Sequence, residues 1–387
     1  MRNPVATSER SVWSFDPERL ALSLAQGACA NSRVSGVRRR DIVALSFWIL
    51  LAAAGTAVVW KGSGLLESAS ERLAVYYQLP EVVQGAVIVA IGSSFPELAT
   101  VLVSTLLHGE FELGVAAILG SALFNVMVIP ALCGLNAREP LFTNRDLIYK
   151  EAQFYIISVT VLLLMFSFAV IYNPVASTDG VIRGEITRGM ALVPLFLYGV
   201  YLFMQYQDAV DFTTETAPSH VRPGAEWLRL AMGLGFILIG VEALVRAAIN
   251  FGDLLNTPSF IWGLTVVAVG TSVPDAFVSL QAVRHGRGIA STANVLGSNI
   301  FDLLCCIPIG VLIAGIAVIN YSVAAPLMAA LTFATLTLFL MMRRRMILSR
   351  NESWALLALY GAFVVMMVAE SFHLTDLITH FPPEVGH

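Results

Sequence analysis

Gly92-Ser93-Ser94-Phe95-Pro96-Glu97 and Gly270-Thr271-Ser272-Val273-Pro274-Asp275 are two versions of one hexapeptide, 178 residues apart. The match extends on both sides of them. Upstream, Gly62 pairs with Gly240, Leu66 with Leu244, Ala69 with Ala247, Pro80 with Pro258, Gly85 with Gly263 and Ala90 with Ala268, all without a gap. Downstream one residue drops out. Then His108-Gly109 answers His285-Gly286, and Leu119-Gly120-Ser121-Ala122-Leu123-Phe124-Asn125 answers Leu296-Gly297-Ser298-Asn299-Ile300-Phe301-Asp302. Duplication is the simplest reading of such an internal repeat.

Both hexapeptides sit inside long apolar runs. Of the 387 residues 57% are apolar and 13% charged, where soluble domains average about 45–50% and 25%. Ten runs can each cross about 30 Å of hydrocarbon as a helix of about 20 residues: 42–60, 82–107, 113–135, 151–172, 188–207, 225–249, 259–283, 289–317, 322–342 and 353–372. A spanning segment must satisfy its own backbone hydrogen bonds, and these runs are too long and too evenly apolar for barrel strands. The expected fold class is all-α and integral to the lipid bilayer, multi-pass. The polar break 208–224, with Asp208, Asp211 and Glu215, divides the spans five and five. The halves are then 42–207 and 225–372, flanked by a polar N-terminal tail, 1–41, and a C-terminal tail, 373–387. With an odd number of spans per half, the second half enters the membrane from the opposite side, so the repeats are inverted.

Other classes are set aside by what the chain lacks. The net charge of −4 is small and dispersed, so no nucleic acid partner is expected. The four cysteines show no CxxC spacing, which argues against a disulfide scaffold or a zinc site. No His cluster, HExxH or nucleophile–base pair falls among the spans, so neither an enzyme nor a cofactor is expected.

An acid at mid-bilayer costs about 2.5 kcal/mol or more and calls for a partner or a task. Glu97, Asp275 and Asp302 all lie mid-run. Pro96 and Pro274 deprive the carbonyls of Gly92 and Gly270 of their helical donors, so a break or kink is expected there, with free oxygens at the depth of the acids. Ser93 and Glu97, Thr271 and Asp275, Ser121 and Asn125, and Ser298 and Asp302 are each four apart, which puts both members on one helix face. Four helices thus offer the same pair of oxygen ligands. Converging at the pseudo-two-fold, they would form a site of formal charge −3, suited to hard cations. Ser94, Ser272 and Asn299 belong to the same motifs and complete the candidate set. Elsewhere, Glu242 and Arg246 are spaced to pair with each other, Glu370 and His373 are expected at the membrane interface, and Cys305 and Cys306 are read as packing residues.

Gly-Ser-Ser-Phe-Pro-Glu with Gly-Ser-Ala-Leu-Phe-Asn, and Gly-Thr-Ser-Val-Pro-Asp with Gly-Ser-Asn-Ile-Phe-Asp, closely resemble the two α-repeats of the calcium/cation antiporter superfamily. Within it the chain most resembles the potassium-dependent sodium/calcium exchangers, through Gly120 to Ala122, Asp275 and Asp302. The resemblance implies that Glu97 and Asp275 are shared calcium and sodium ligands. It also implies that Ser93, Ser94, Thr271, Ser272, Ser121, Ser298 and Asn125 complete the sites, and that Asp302 binds potassium or a further sodium. The implied activity is electrogenic antiport in a plasma or cell membrane, with the first and sixth spans sliding past a core of spans 2, 3, 7 and 8. Val87 departs from the pattern, standing where the other repeat has Thr265 and family members often have a hydroxyl. The short inter-repeat linker leaves no room for large cytosolic calcium-sensing domains. A proton-coupled calcium exchanger and a cation channel remain the competing functions.

Overall fold

The computed structural model describes residues 39–77, 90–137, 141–142, 147–176, 181–209 and 222–371. Expectations for the N-terminal tail up to residue 38, for Pro80, Gly85 and Val87, for most of the inter-repeat loop and for the C-terminal tail with His373 lie outside these residues. Ten helical spans follow one another: α1 (Arg39–Tyr76), α2 (Ala90–His108), α3 (Phe111–Asn136), α4 (Ala152–Tyr172), α5 (Arg188–Ala209), α6 (Pro223–Leu255), α7 (Ser259–Arg284), α8 (Gly288–Ala314), α9 (Tyr321–Arg345) and α10 (Arg350–Ser371). Among the described residues, nine of them, all but α2, are long and apolar enough to cross a membrane. The described residues from Trp48 onward form one compact unit.

Short strands, which the apolar runs do not announce, close the rims. Pro174–Val175 (β2), Arg183–Thr187 (β3) and Ile316–Asn320 (β4) form an antiparallel sheet, and Leu141–Phe142 (β1) pairs with Ile347–Leu348 (β5). Each sheet joins a connection of the first repeat to one of the second.

Within the bundle α3 is the most enclosed span, followed by α8 and α7, whereas α1, α5 and α10 keep most of their surface outward. The most enclosed helices carry the paired motifs. Burial of their polar side chains is compatible with the apolar runs because α3 is lined almost continuously by small and branched apolar residues. Glu370, near the end of α10, is fully buried within the protein, as is Met367 one turn before it. Cys305 and Cys306 are buried free thiols.

The pseudo-two-fold is visible where α1 meets α6. A Cβ on Gly55 would lie 2.9 Å from the Gly240 carbonyl oxygen, and one on Gly62 would lie 2.9 Å from that of Gly233. As one helix ascends the other descends, so they cross antiparallel. Gly62 is the repeat counterpart of Gly240, and Gly55 that of Gly233; each contact therefore maps onto the other, as a two-fold axis between antiparallel helices requires. Small residues let membrane helices approach to backbone contact. Gly62→Val is expected to lower stability by about 1–3 kcal/mol, the usual cost of overpacking, read as a lower thermal unfolding midpoint in detergent. At one edge of this pair, His108 Nε2 and Glu242 Oε2 lie 2.9 Å apart, and Arg246 donates to the other Glu242 oxygen, which ties the end of α2 to α6.

Candidate cation site

Each motif helix brings its polar face to the same interior region. Glu97, Asp275, Asp302, Asn125, Asn299, Ser94, Ser121, Ser272, Ser298 and Thr271 are at most 1% exposed, and Ser93 is 4% exposed. Gly92 and Gly270 are buried beside them. The helices meet through hydroxyls and amides. Ser93 Oγ on α2 is 3.3 Å from Ser298 Oγ on α8. Ser121 on α3 donates to Glu97 Oε1 on α2 at 3.3 Å and lies 2.7 Å from Ser272 Oγ on α7. A hydroxyl has one proton, so Ser272 donates to Ser121 when Ser121 donates to Glu97.

Asn125 links the two repeats. Its amide donates to Asp275 Oδ2 at 3.5 Å and to Asn299 Oδ1 at 3.0 Å. Asn299 in turn donates to the Ala122 carbonyl and to the Tyr155 hydroxyl, both at 3.2 Å. Tyr155 lies in an apolar run of α4 with no motif around it, and no sequence signal marks it as a support for this site. Thr271 Oγ1 donates back to the Ala268 carbonyl at 3.2 Å.

Regular helix is lost at two places near the motifs. A π-turn at Gly263–Val267 interrupts α7 before the motif, and another at Asp302–Cys306 interrupts α8 at the acid itself. Such insertions are frequent at functional sites because they re-aim side chains and free carbonyls. The interruption of α7 falls ahead of Pro274, which sits inside the helix Ala268–Arg284, as Pro96 sits inside α2. A proline removes one backbone hydrogen bond, and the helix absorbs that loss here. Asn125, the counterpart of Asp302, stays in regular α-helix.

The electrostatics are one-sided. Glu97, Asp275 and Asp302 have no basic partner among the described residues. Ser94 Oγ, Glu97 Oε2, Asn125 Oδ1, Asp275 Oδ1 and Asp302 Oδ2 are buried oxygens without a hydrogen-bond partner. Natural interiors leave few such groups, because each costs free energy. Among the described residues no three acidic, His or Cys side chains close on a single point. The acids are thus distributed, and any ion held here takes much of its shell from hydroxyl, amide and carbonyl oxygens, the ligands preferred by hard cations.

Buried acids without basic partners, inside a membrane bundle of inverted repeats, define a cation transporter rather than an enzyme. Residues 47–207 and 225–369 match the family described as sodium/calcium exchanger protein, and the chain belongs to that family. Sodium/calcium exchanger MaX1 of Methanosarcina acetivorans is 25% identical over 356 residues, 84% of this chain and 99% of that one. The solved structure of the sodium–calcium exchanger NCX_Mj, soaked with sodium and strontium, superposes with a TM-score of 0.58 at 24% identity, covering 83% of this chain and 98% of the other. That likeness establishes the fold. A local match joins the chain to human sodium/potassium/calcium exchanger 5, 44% identical over 54 residues, 14% of this chain and 11% of that one.

Proposed function

We propose that this chain is a secondary active antiporter that exchanges sodium for calcium by alternating access, with potassium accompanying calcium. The observation that carries the proposal is the set of buried oxygens on α2, α3, α7 and α8 that lacks both hydrogen-bond partners and basic neighbours. In this reading Glu97 and Asp275 are ligands shared by calcium and sodium, Asn125 and the motif hydroxyls complete the shells, and Asp302 holds potassium or a further sodium. The local match to a human exchanger whose name includes potassium supports that last assignment.

Physical reasoning supplies the coupling. Occluding three carboxylates in low dielectric is costly unless cations compensate them. Calcium with potassium, or several sodium ions, would neutralise most of the charge; the empty site would not. Neutralisation therefore licenses movement of α1 and α6 past the four motif helices, and the unloaded carrier stays put.

Calcium uptake into sodium-loaded proteoliposomes, with and without external potassium, tests the proposal. Uptake that needs the outward sodium gradient and potassium supports it in full. Uptake that ignores potassium removes the third ion, and uptake that ignores sodium but follows a pH gradient replaces the mechanism with proton coupling. For Asp302→Asn, the expectation is sodium-driven calcium uptake that no longer responds to potassium. A variant that keeps the potassium response overturns the role given to Asp302.

A further inference from the structure

We infer that Glu67, with Ser63 one turn before it, forms an additional cation-binding station on α1 beside the first motif, through which calcium reaches the buried site. This deepens the exchange reading and rests on it. Glu67 is a half-buried acid in a membrane span. It makes no ion pair and no hydrogen bond among the described residues, and the next charged residue on its own helix face, Glu71, is another acid. An acid toward one end of a membrane-spanning helix and without a basic partner is a candidate cation ligand.

Geometry places it at the site. The Glu67 Cα lies 3.8 Å from where a Cβ on Gly92 would stand, so α1 crosses the first motif at this residue. Eleven positions earlier on α1, Thr56 Oγ1 lies 2.9 Å from the corresponding point on Gly270. The same helix thus passes over both motif glycines. Ser63 is 3% exposed, and its Oγ has no hydrogen-bond partner. Ser63 and Glu67 are four apart and share a helix face, the hydroxyl–acid spacing found in Ser93 with Glu97 and in Thr271 with Asp275. Glu71, a further turn along that face, is exposed. From Glu71 through Glu67 to Ser63 the face grades from open to buried.

The other repeat has no counterpart. At an offset of 178 residues, Ser63 and Glu67 correspond to Val241 and Val245 on α6, both fully buried. The station therefore belongs to α1, and the corresponding face of α6 is apolar at both positions.

Calcium uptake by Glu67→Gln in sodium-loaded proteoliposomes, beside wild type and Glu67→Asp, provides the test. Gln preserves size, so a structural role alone leaves the KM for calcium where it was. The expected result is a rise of about tenfold in KM, as for losing one partly screened charge near a divalent ion, with maximal rate within about twofold of wild type and recovery in Glu67→Asp. A wild-type KM in Glu67→Gln, or a fall in maximal rate with KM unchanged, overturns the assignment of Glu67 while leaving the exchange reading intact. Wild-type protein that takes up no calcium under any gradient overturns the exchange reading and the station with it.

Discussion

Glu97→Gln is expected to abolish sodium-driven calcium uptake while leaving the bundle folded. Glu97 is 1% exposed, accepts one hydrogen bond from Ser121 at 3.3 Å, and keeps its second oxygen without a partner. Glutamine is nearly isosteric and its carbonyl can still accept from Ser121, so the link between α2 and α3 survives. What disappears is one negative charge, the one that the proposed mechanism sets beside the cargo. Losing one member of a buried charge pair costs about 2–5 kcal/mol in binding, or roughly 30- to several-thousand-fold in affinity. In ion-free detergent the variant is expected to unfold at or above the wild-type temperature, because it replaces a buried acid that has no basic partner among the described residues with a neutral side chain of the same size. Added calcium is expected to stabilise wild type by mass action, by about 2.7 kcal/mol at one hundred times the dissociation constant, and that shift is expected to vanish in the variant. Unchanged flux, or an undiminished calcium-dependent thermal shift, would remove Glu97 from the ligand set.

Gly120→Ala is the second substitution with a large expected effect, although it adds one methyl group and touches no charge. A Cβ at residue 120 would stand 2.1 Å from the Leu264 carbonyl oxygen and 2.7 Å from the Ala268 side chain. The first obstacle is backbone, in the π-turn of α7, and cannot rotate aside. Helices α3 and α7 must therefore separate, at or beyond the upper end of the usual 1–3 kcal/mol for overpacking. Ser121 follows Gly120 directly and bridges Glu97 to Ser272, so separation also opens the site, and calcium uptake falls together with stability. Ser121→Ala is the control: it removes the bridge without adding bulk, and is expected to lose uptake at near-normal unfolding temperature. A wild-type unfolding midpoint in Gly120→Ala would show that the contact is not as tight as the backbone positions require.

Much of this was legible in the chain. Uninterrupted apolar runs force helices in hydrocarbon, and an odd number of spans per repeat forces inversion. Acids spaced four from hydroxyls mark polar faces in otherwise apolar helices. The Ser63–Glu67 pair carries the same signal, but its partner positions in the second repeat are valines, so a search guided by the repeat passes over it. The π-turns had no local signature, because an extra residue in a helical turn is fixed by what packs against it. Nor did the tyrosine that supports Asn299.

The sequence by itself determined that this protein spans the membrane as two inverted repeats with acids and hydroxyls on matching helix faces, because helical periodicity and the cost of polar groups in lipid act within each segment. The tertiary structure alone decided that Asn125 reaches Asp275 across the repeats and that Ser121 pairs with Ser272. It also decided that the three acids do not close on a single point among the described residues and that Glu67 comes to lie over Gly92. Those pairings depend on how closely glycine-lined helices approach and at what register, and that is set jointly by side chains far apart in the chain, so no local spacing encodes it.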